Sequence, residues 1–483
     1  MSRTQLLGAA YAAVLLSFSG VSHAQTVIQG GGSTLAEYEW IDEMFIFNTG
    51  ETGTQAVFGA FSPSGSGAGQ KAFLQDDFTC DLNKVDGNNG GACSNLPPTN
   101  GNYVDYGASD STLSSTQATA WTSNSYTYGQ AVSGNLIQLP ALGVGIAFPI
   151  VDSGFTANGA ASLSDHDLCE IFSGGYTDFS QITDAVTLAK KKTSFAAGTF
   201  DVVYRGDSSG TSFLLTQHLN SVCGTADVPA GFKFTATTTF ASLFNGSSSF
   251  NGIPTSFSCS TTTGLCTVTN GLTNGTNDGP KGSGGVFSEL EGEGSQPALG
   301  YISPDYTTID PNSTVQVNGT SSTLVVASVL QGRNPELPTT TEIATALAHP
   351  KAGATGNANL KPPSTAAEGA NPLLWVPAIA QAASGYPVVG YTTLDLAQCY
   401  ADPTVTTAVV TFLNQHFNFV NNAYSQDDAT YQADNGFVTL KAGGRAAFAT
   451  AILDHIVGNT ATKKSGAWNI NIGNTTACSG IGR

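Results

Sequence analysis

Residues Tyr204 to Thr211 read Y-R-G-D-S-S-G-T, and the apolar run Phe213-Leu214-Leu215 follows them. A hydroxyl-rich turn entering an apolar helical pattern is the N-terminus of a helix, where the first backbone N–H groups have no partner within the helix. Those amides and the helix dipole favour an anion. Ser209 and Thr211 add hydroxyl donors, and Gly210 adds a bare amide. Arg205 supplies a planar fork for two oxyanion oxygens. Asp207 would repel the same anion, so its place is explained if it orients Arg205 or if the anion carries a proton.

Three further turns have the same character. Gly30-Gly31-Gly32-Ser33-Thr34-Leu35 precedes an amphipathic helical pattern through Phe47. Gly65 to Phe73 (GSGAGQKAF) is a flexible turn entering a helix. Gly107-Ala108-Ser109-Asp110 follows the strand-like Tyr103 to Tyr106. One Gly/Ser-rich turn is ordinarily a loop, but four of them beside strands and helices suggest a shared ligand.

The elements that must position these turns alternate between strand and helix. Leu136 to Ile150 is a long buried-strand signal interrupted by Pro140, and Val202 to Tyr204 is a short strand running into the Arg205 turn. Thr404 to Phe417 and Gly444 to Val457 have helical spacing. Strand–turn–helix units imply an α/β fold with mostly parallel sheets, in which ligands bind at the carboxyl ends of strands.

The chain has 483 residues, 11% of them charged, 56 glycines and a net charge of -18. That balance excludes nucleic acid as a partner, because phosphate backbones need basic patches. It does not exclude a small anion, because the long-range field is screened beyond about 8–10 Å while hydrogen bonds act at contact. At the N-terminus, Arg3, the apolar stretch Leu6 to Val21 and Ser22-His23-Ala24 read as a signal peptide over 1–24, giving a mature chain from Gln25. No cysteine stands near that cleavage point, so no lipid anchor is expected. Eight cysteines in an exported chain imply disulfides. Sequence neighbours suggest Cys80–Cys93, Cys169–Cys223, Cys259–Cys266 and Cys399–Cys478, although eight cysteines allow about 105 pairings. The stretches Asp76–Tyr103, 225–278 and 307–385 are rich in turn-forming residues and read as exposed loop insertions.

In this order, the motifs G-G-S-T-L, G-S-G-A-G-x-K, G-A-S-D and R-G-D-S-S-G-T resemble the periplasmic phosphate-binding proteins of ABC transporters, of PstS type, with the related DING proteins. Leu168 to Thr183, Gly279 to Gly285 and Gly300-Tyr301-Ile302 extend the resemblance. It implies a two-lobed periplasmic-binding-protein fold of type II. Lobe I would comprise about 25–138 and 386–483, and lobe II 139–385, with hinge crossings near Pro140 and Pro387. It implies a binding protein without cofactor, metal or catalytic residue, monomeric, periplasmic or secreted, with an ABC transporter permease as partner. By resemblance the ligand is the HPO₄²⁻ dianion. Thr34, Ser66, Ser209 and Thr211 would donate hydroxyls, and Leu35 and Gly210 amides. Arg205 would pair with the phosphate, held by Asp207, and Asp110 would accept its proton. Phe is usual at the position of Leu35, a change that a backbone donor tolerates.

Hydrogen bonds to charged groups contribute about 1.5–3 kcal/mol each, and micromolar binding needs about 8 kcal/mol. Eight donors therefore leave room for desolvation and lobe closure. The alternative is a secreted phosphatase acting on phosphomonoesters, with Ser66 or Ser209 as nucleophile. The histidines at 166, 218, 349, 416 and 455 lack metal-ligand spacing, and Lys281 stands outside a G-K-[ST] order.

Overall fold

The computed structural model describes residues 26–50, 56–82, 103–176, 178–184, 189–190, 198, 200–244, 258–259, 266–267, 282–294, 297–309, 316–317, 320–418, 435–441, 444–458 and 468–483. The expected signal peptide, Cys93 and Lys281 lie outside these residues.

Strands and helices alternate along the chain. Strands β1 (Thr26–Ile28) and β2 (Gly30–Gly32) lead into helix α1 (Glu37–Gly50), and β3 (Ala56–Phe58) precedes α2 (Ser66–Gln75). Next come β4 (Tyr106–Ser109), α3 (Ser115–Thr122), β5 (Leu136–Gly145), β6 (Pro149–Val151) and α4 (Asp165–Ser173). Then follow β7 (Asp201–Val203), α5 (Gly210–Val222), α6 (Gly282–Gly292), β8 (Ala298–Gly300) and β9 (Val325–Val326). The last labelled elements are α7 (Thr340–Ala348), β10 (Val389–Ala397), α8 (Pro403–Phe417) and α9 (Arg445–Ile452).

Two four-stranded sheets organise these elements. One has the order β2-β4-β10-β5, with β2 and β4 parallel and β10 antiparallel to β4 and β5. The other has the order β7-β8-β6-β9, with β7 and β8 parallel and β6 antiparallel to both its neighbours. The chain passes from the first sheet to the second between β5 and β6. There Ile146 donates its amide to Val388 and Ala147 pairs with Ile302. Pro140 does not interrupt β5. It sits opposite Thr393 beside a register shift, on the outermost strand of its sheet, where a missing N–H is tolerated.

Close backbone approach explains the glycine runs of the first lobe. A Cβ on Gly69 of α2 would lie 2.4 Å from the Gly32 Cα and 2.5 Å from the Gly31 carbonyl oxygen. Only glycine lets α2 settle onto β2 at this distance. The helices at 404–417 and 444–457 form as α8 and α9, the latter continuing into a π-turn at Leu453–Val457.

Three further expectations are corrected. The sheets are not mostly parallel: each four-stranded sheet holds one parallel and two antiparallel pairs. The strand at 103–106 is displaced: β4 begins at Tyr106 and carries Gly107, Ala108 and Ser109 in its ladder, so Asp110 follows the strand directly. The Pro/Thr/Ala-rich stretch 307–385 is not simply exposed loop. It contributes β9 and α7, and it buries Ile343, Ala346, Leu347, Trp375 and Ile379. Its apolar positions 343, 346 and 347 have the i, i+3, i+4 spacing of a helix face.

Cys169 is bonded to Cys223 and Cys399 to Cys478, as the spacing suggested. Cys259 stands opposite Cys266 across a short antiparallel ladder. No helix among the described residues is long and apolar enough to cross a membrane.

Candidate functional site

The four turns converge. Thr34 and Leu35 follow β2, Ser66 opens α2, Asp110 follows β4, and Arg205 to Thr211 join β7 to the first turn of α5. All nine residues singled out from the sequence are buried. Contacts tie the first-sheet turns to the second-sheet turns: Gly67 donates its amide to the Ser208 carbonyl at 3.0 Å. A Cβ on Gly210 would lie 2.5 Å from Asp110 Oδ2 and 2.6 Å from Ser66 Oγ.

Arg205 is aimed by its own loop. Its Nε donates to Asp207 Oδ1 at 2.5 Å, Nη2 donates to Oδ2, and Nη1 donates to Thr211 Oγ1 at 3.3 Å. A guanidinium has five N–H donors. Two are engaged by Asp207 on the Nε–Nη2 edge and one by Thr211, leaving one N–H on each terminal nitrogen for an oxyanion. Burial works against the charge, but the Asp207 carboxylate overrides it and moves the guanidinium pKa further up.

The hydroxyls are arranged as donors. Thr34 Oγ1 accepts from the Ser283 amide at 3.1 Å, Thr211 Oγ1 accepts from Arg205, and Ser209 Oγ accepts from the Ser212 amide at 3.2 Å as the cap of α5. Each oxygen has spent acceptor capacity on a donor of the protein, so its single proton is available to an acceptor. The Ser66 proton is directed differently: Ser66 Oγ donates to Asp110 Oδ2 at 3.1 Å and accepts from the Asp110 amide at 3.2 Å. The Leu35 amide likewise meets Ser33 Oγ at 3.1 Å.

Asp110 is the acceptor of the cluster. Burial pushes its carboxyl up to about 6, against the hydroxyls of Ser33 and Ser66 and the charge of Arg205, which lower it.

Sequence reasoning missed four contributors. Ser33 donates to both oxygens of Asp110, at 2.6 and 2.8 Å. It stands beside Thr34 in a motif already noted, but its partner is 77 residues away. Gly282 and Ser283, at the start of α6, donate amides to Asp207 and Thr34. Glu37, in the first turn of α1, accepts from the Tyr306 hydroxyl at 3.4 Å. Burial raises Glu37 to about 7, against that hydrogen bond and the field of Arg205.

Two α/β halves, with helix N-termini and strand ends meeting at one polar point, define the class of two-lobed binding proteins. The chain belongs to the PBP superfamily, whose domain model matches residues 20–373. Among curated relatives, an alkaline phosphatase L of Pseudomonas aeruginosa strain UCBPP-PA14 is 30% identical, covering 98% of both chains. A phosphate-binding protein of an unknown prokaryotic organism is 29% identical over 94% of this chain and 99% of its own. Among solved structures, a high-affinity periplasmic phosphate-binding protein (PfluDING), bound with phosphate, is 27% identical with a TM-score of 0.63. It covers 95% of this chain and 99% of its own. A human phosphate-binding apolipoprotein is 25% identical with a TM-score of 0.64, covering 94% of this chain and 99% of its own. The expected resemblance to the DING phosphate-binding proteins is thus borne out.

Proposed function

We propose that the chain is an exported binding protein that captures inorganic phosphate, as the HPO₄²⁻ dianion, between its two sheets. Delivery to an ABC-type permease or scavenging outside the cell would follow, from the periplasm or the medium. The observation that carries this reading is that Ser33, Ser66 and Gly210 meet at Asp110, in the field of the Arg205 guanidinium, with Thr34, Ser209 and Thr211 in the same turns. The free edge of the Arg205 guanidinium would take two phosphate oxygens, and the hydroxyls of Thr34, Ser209 and Thr211 and the Gly210 amide would donate to the rest. Ser66 would turn its proton from Asp110 to the ligand. The Leu35 amide would share its proton between Ser33 Oγ and a ligand oxygen, as three-centre bonds at helix termini do. Asp110, as carboxylate, would accept the proton of the dianion. The segments 25–138 with 386–483, and 139–385, would form the lobes that close on it.

Calorimetric titration of ligand-stripped protein with phosphate, sulfate and a phosphomonoester tests this. Micromolar or tighter phosphate with sulfate excluded is expected, and no heat with phosphate would refute it. The name that the Pseudomonas aeruginosa relatives carry makes phosphomonoester hydrolysis the second reading. A phosphomonoesterase assay with an Arg205→Ala control decides between the two. Turnover that disappears in the variant would favour the enzyme.

A further inference from the structure

Ser33 is fully buried at the end of β2, and its hydroxyl has a constrained set of partners. Its oxygen accepts from the Leu35 amide at 3.1 Å and the Ala36 amide at 3.4 Å, both in the turn entering α1. With its acceptor capacity engaged by the backbone, its one proton is directed outward, to Asp110 Oδ1 at 2.6 Å and Oδ2 at 2.8 Å. A hydroxyl donates one proton and has two acceptor lone pairs. An Asp110 bearing its own proton would therefore face a Ser33 oxygen with little capacity to accept it. The geometry matches a carboxylate and opposes a carboxylic acid.

We propose that Ser33 is a specificity-determining positioning residue: by donating to both oxygens of Asp110 it holds that side chain as a pure acceptor, so that the site takes a tetrahedral oxyanion that carries a proton and refuses one that does not. This rests on the phosphate reading above and names what sets its selectivity. An ionised Asp110 can pair only with a ligand that brings a proton. A protonated Asp110 becomes a donor and accommodates a fully ionised oxyanion such as sulfate. Discrimination between the two classes of anion is then fixed by the protonation of one buried carboxyl.

The groups that face Asp110 come from each packed element. The β2–α1 turn presents Ser33 and α2 presents Ser66, both hydroxyls. The turn after β7 presents the Arg205 guanidinium, paired behind with Asp207, and α5 presents the Gly210 backbone. Removing the Ser33 hydroxyl leaves Ser66 and Arg205 to oppose the burial that favours the neutral acid.

The test is calorimetric titration of the wild-type protein and of Ser33→Ala and Ser33→Thr with sulfate and with phosphate, in half-unit steps from about pH 5 to 8.5. In the wild type, sulfate affinity should fall as pH rises through the titration of Asp110. In Ser33→Ala the half-point of that fall should move up by about one pH unit, making sulfate binding about tenfold tighter near neutrality. Ser33→Thr, which keeps a hydroxyl, should restore the wild-type half-point. If Ser33→Ala does not fold, Ser33→Cys, whose thiol is a weak donor, should show the upward shift. A half-point identical to wild type in Ser33→Ala or Ser33→Cys would overturn the proposal. So would an equal loss of both anions at every pH, which is the signature of a merely structural role. A wild type that binds neither anion at any pH would overturn the phosphate reading itself, and this inference with it.

Discussion

Gly210 and Asp110 meet across the two halves of the protein so closely that a Cβ on Gly210 would lie 2.5 Å from the Asp110 Cβ and 2.5 Å from its Oδ2. Gly210 opens α5 and Asp110 directly follows β4, so one hydrogen atom in place of a methyl group permits the approach. Gly210→Ala must separate the two elements or force Asp110 from its hydroxyl partners. Overpacking of this kind costs about 1–3 kcal/mol. Because both residues belong to the proposed ligand set, the cost should fall on ligand affinity. Phosphate binding by Gly210→Ala should weaken about tenfold to a hundredfold by calorimetry, with a melting temperature close to wild type.

Arg205 and Asp207 should separate stability from binding. Arg205→Ala removes the guanidinium proposed to pair with phosphate and also leaves Asp207 buried without its ion-pair partner, a loss of about 3–5 kcal/mol for a broken buried pair. Arg205→Ala with Asp207→Asn removes the stranded charge. The double variant should recover much of the lost stability in thermal melts, yet still bind no phosphate. Recovery of binding along with stability would show that Arg205 acts only through the fold.

The Arg205 loop was legible in the sequence because its parts are contiguous: a strand, a charged pair two residues apart, a Ser cap and a helix. The partnership of Ser33 with Asp110 was not. It depends on the parallel register that sets Gly31 beside Gly107, and nothing local to either residue announces it. The shift of β4 to Tyr106–Ser109 has the same origin. Small residues there are poor strand formers alone, but they let α2 pack close, and a Cβ on Gly107 would lie 3.1 Å from Phe73 Cβ. Strand β10 went unread because polar Thr392, Thr393 and Asp395 break its apolar pattern, although all three are buried. Asp395 is accommodated by Gln138, which donates to it at 2.7 Å from β5.

The acids buried in this protein set the sign of its pH dependence. Burial pushes Asp110 up to about 6, Glu37, Asp105 and Asp395 to about 7, and Asp305 to about 8. Each folded-state value lies above that of the unfolded chain, so the native state binds more protons than the unfolded state in between. The stability these groups contribute is full below about pH 4 and is lost as pH rises through about 6 to 8. In phosphate-free buffer the melting temperature should therefore fall steadily from pH 5 to pH 8.5. A melting temperature that rises over this interval would show that these carboxyls ionise in the folded protein as they do in water.

Asp110→Asn isolates the selectivity of the site from its architecture. Asparagine keeps nearly the same volume and one oxygen, so Ser33 and Ser66 retain an acceptor, but its amide nitrogen is a donor. A fully ionised oxyanion would then meet a hydrogen-bond partner where wild type presents a carboxylate. Rejection that rests on an unpaired, repulsive contact is stronger than rejection by a missing one, so relieving it should have a large effect on sulfate and a smaller one on phosphate. At neutral pH, sulfate affinity should rise by about tenfold or more while phosphate affinity falls by less, both read by calorimetry. Sulfate binding by Asp110→Asn should also lose the pH dependence expected of the wild type between about pH 5 and 8, because the titrating group is gone. Continued exclusion of sulfate by this variant would mean that Asp110 does not read the proton on the ligand, and that selectivity resides among the donors around Arg205.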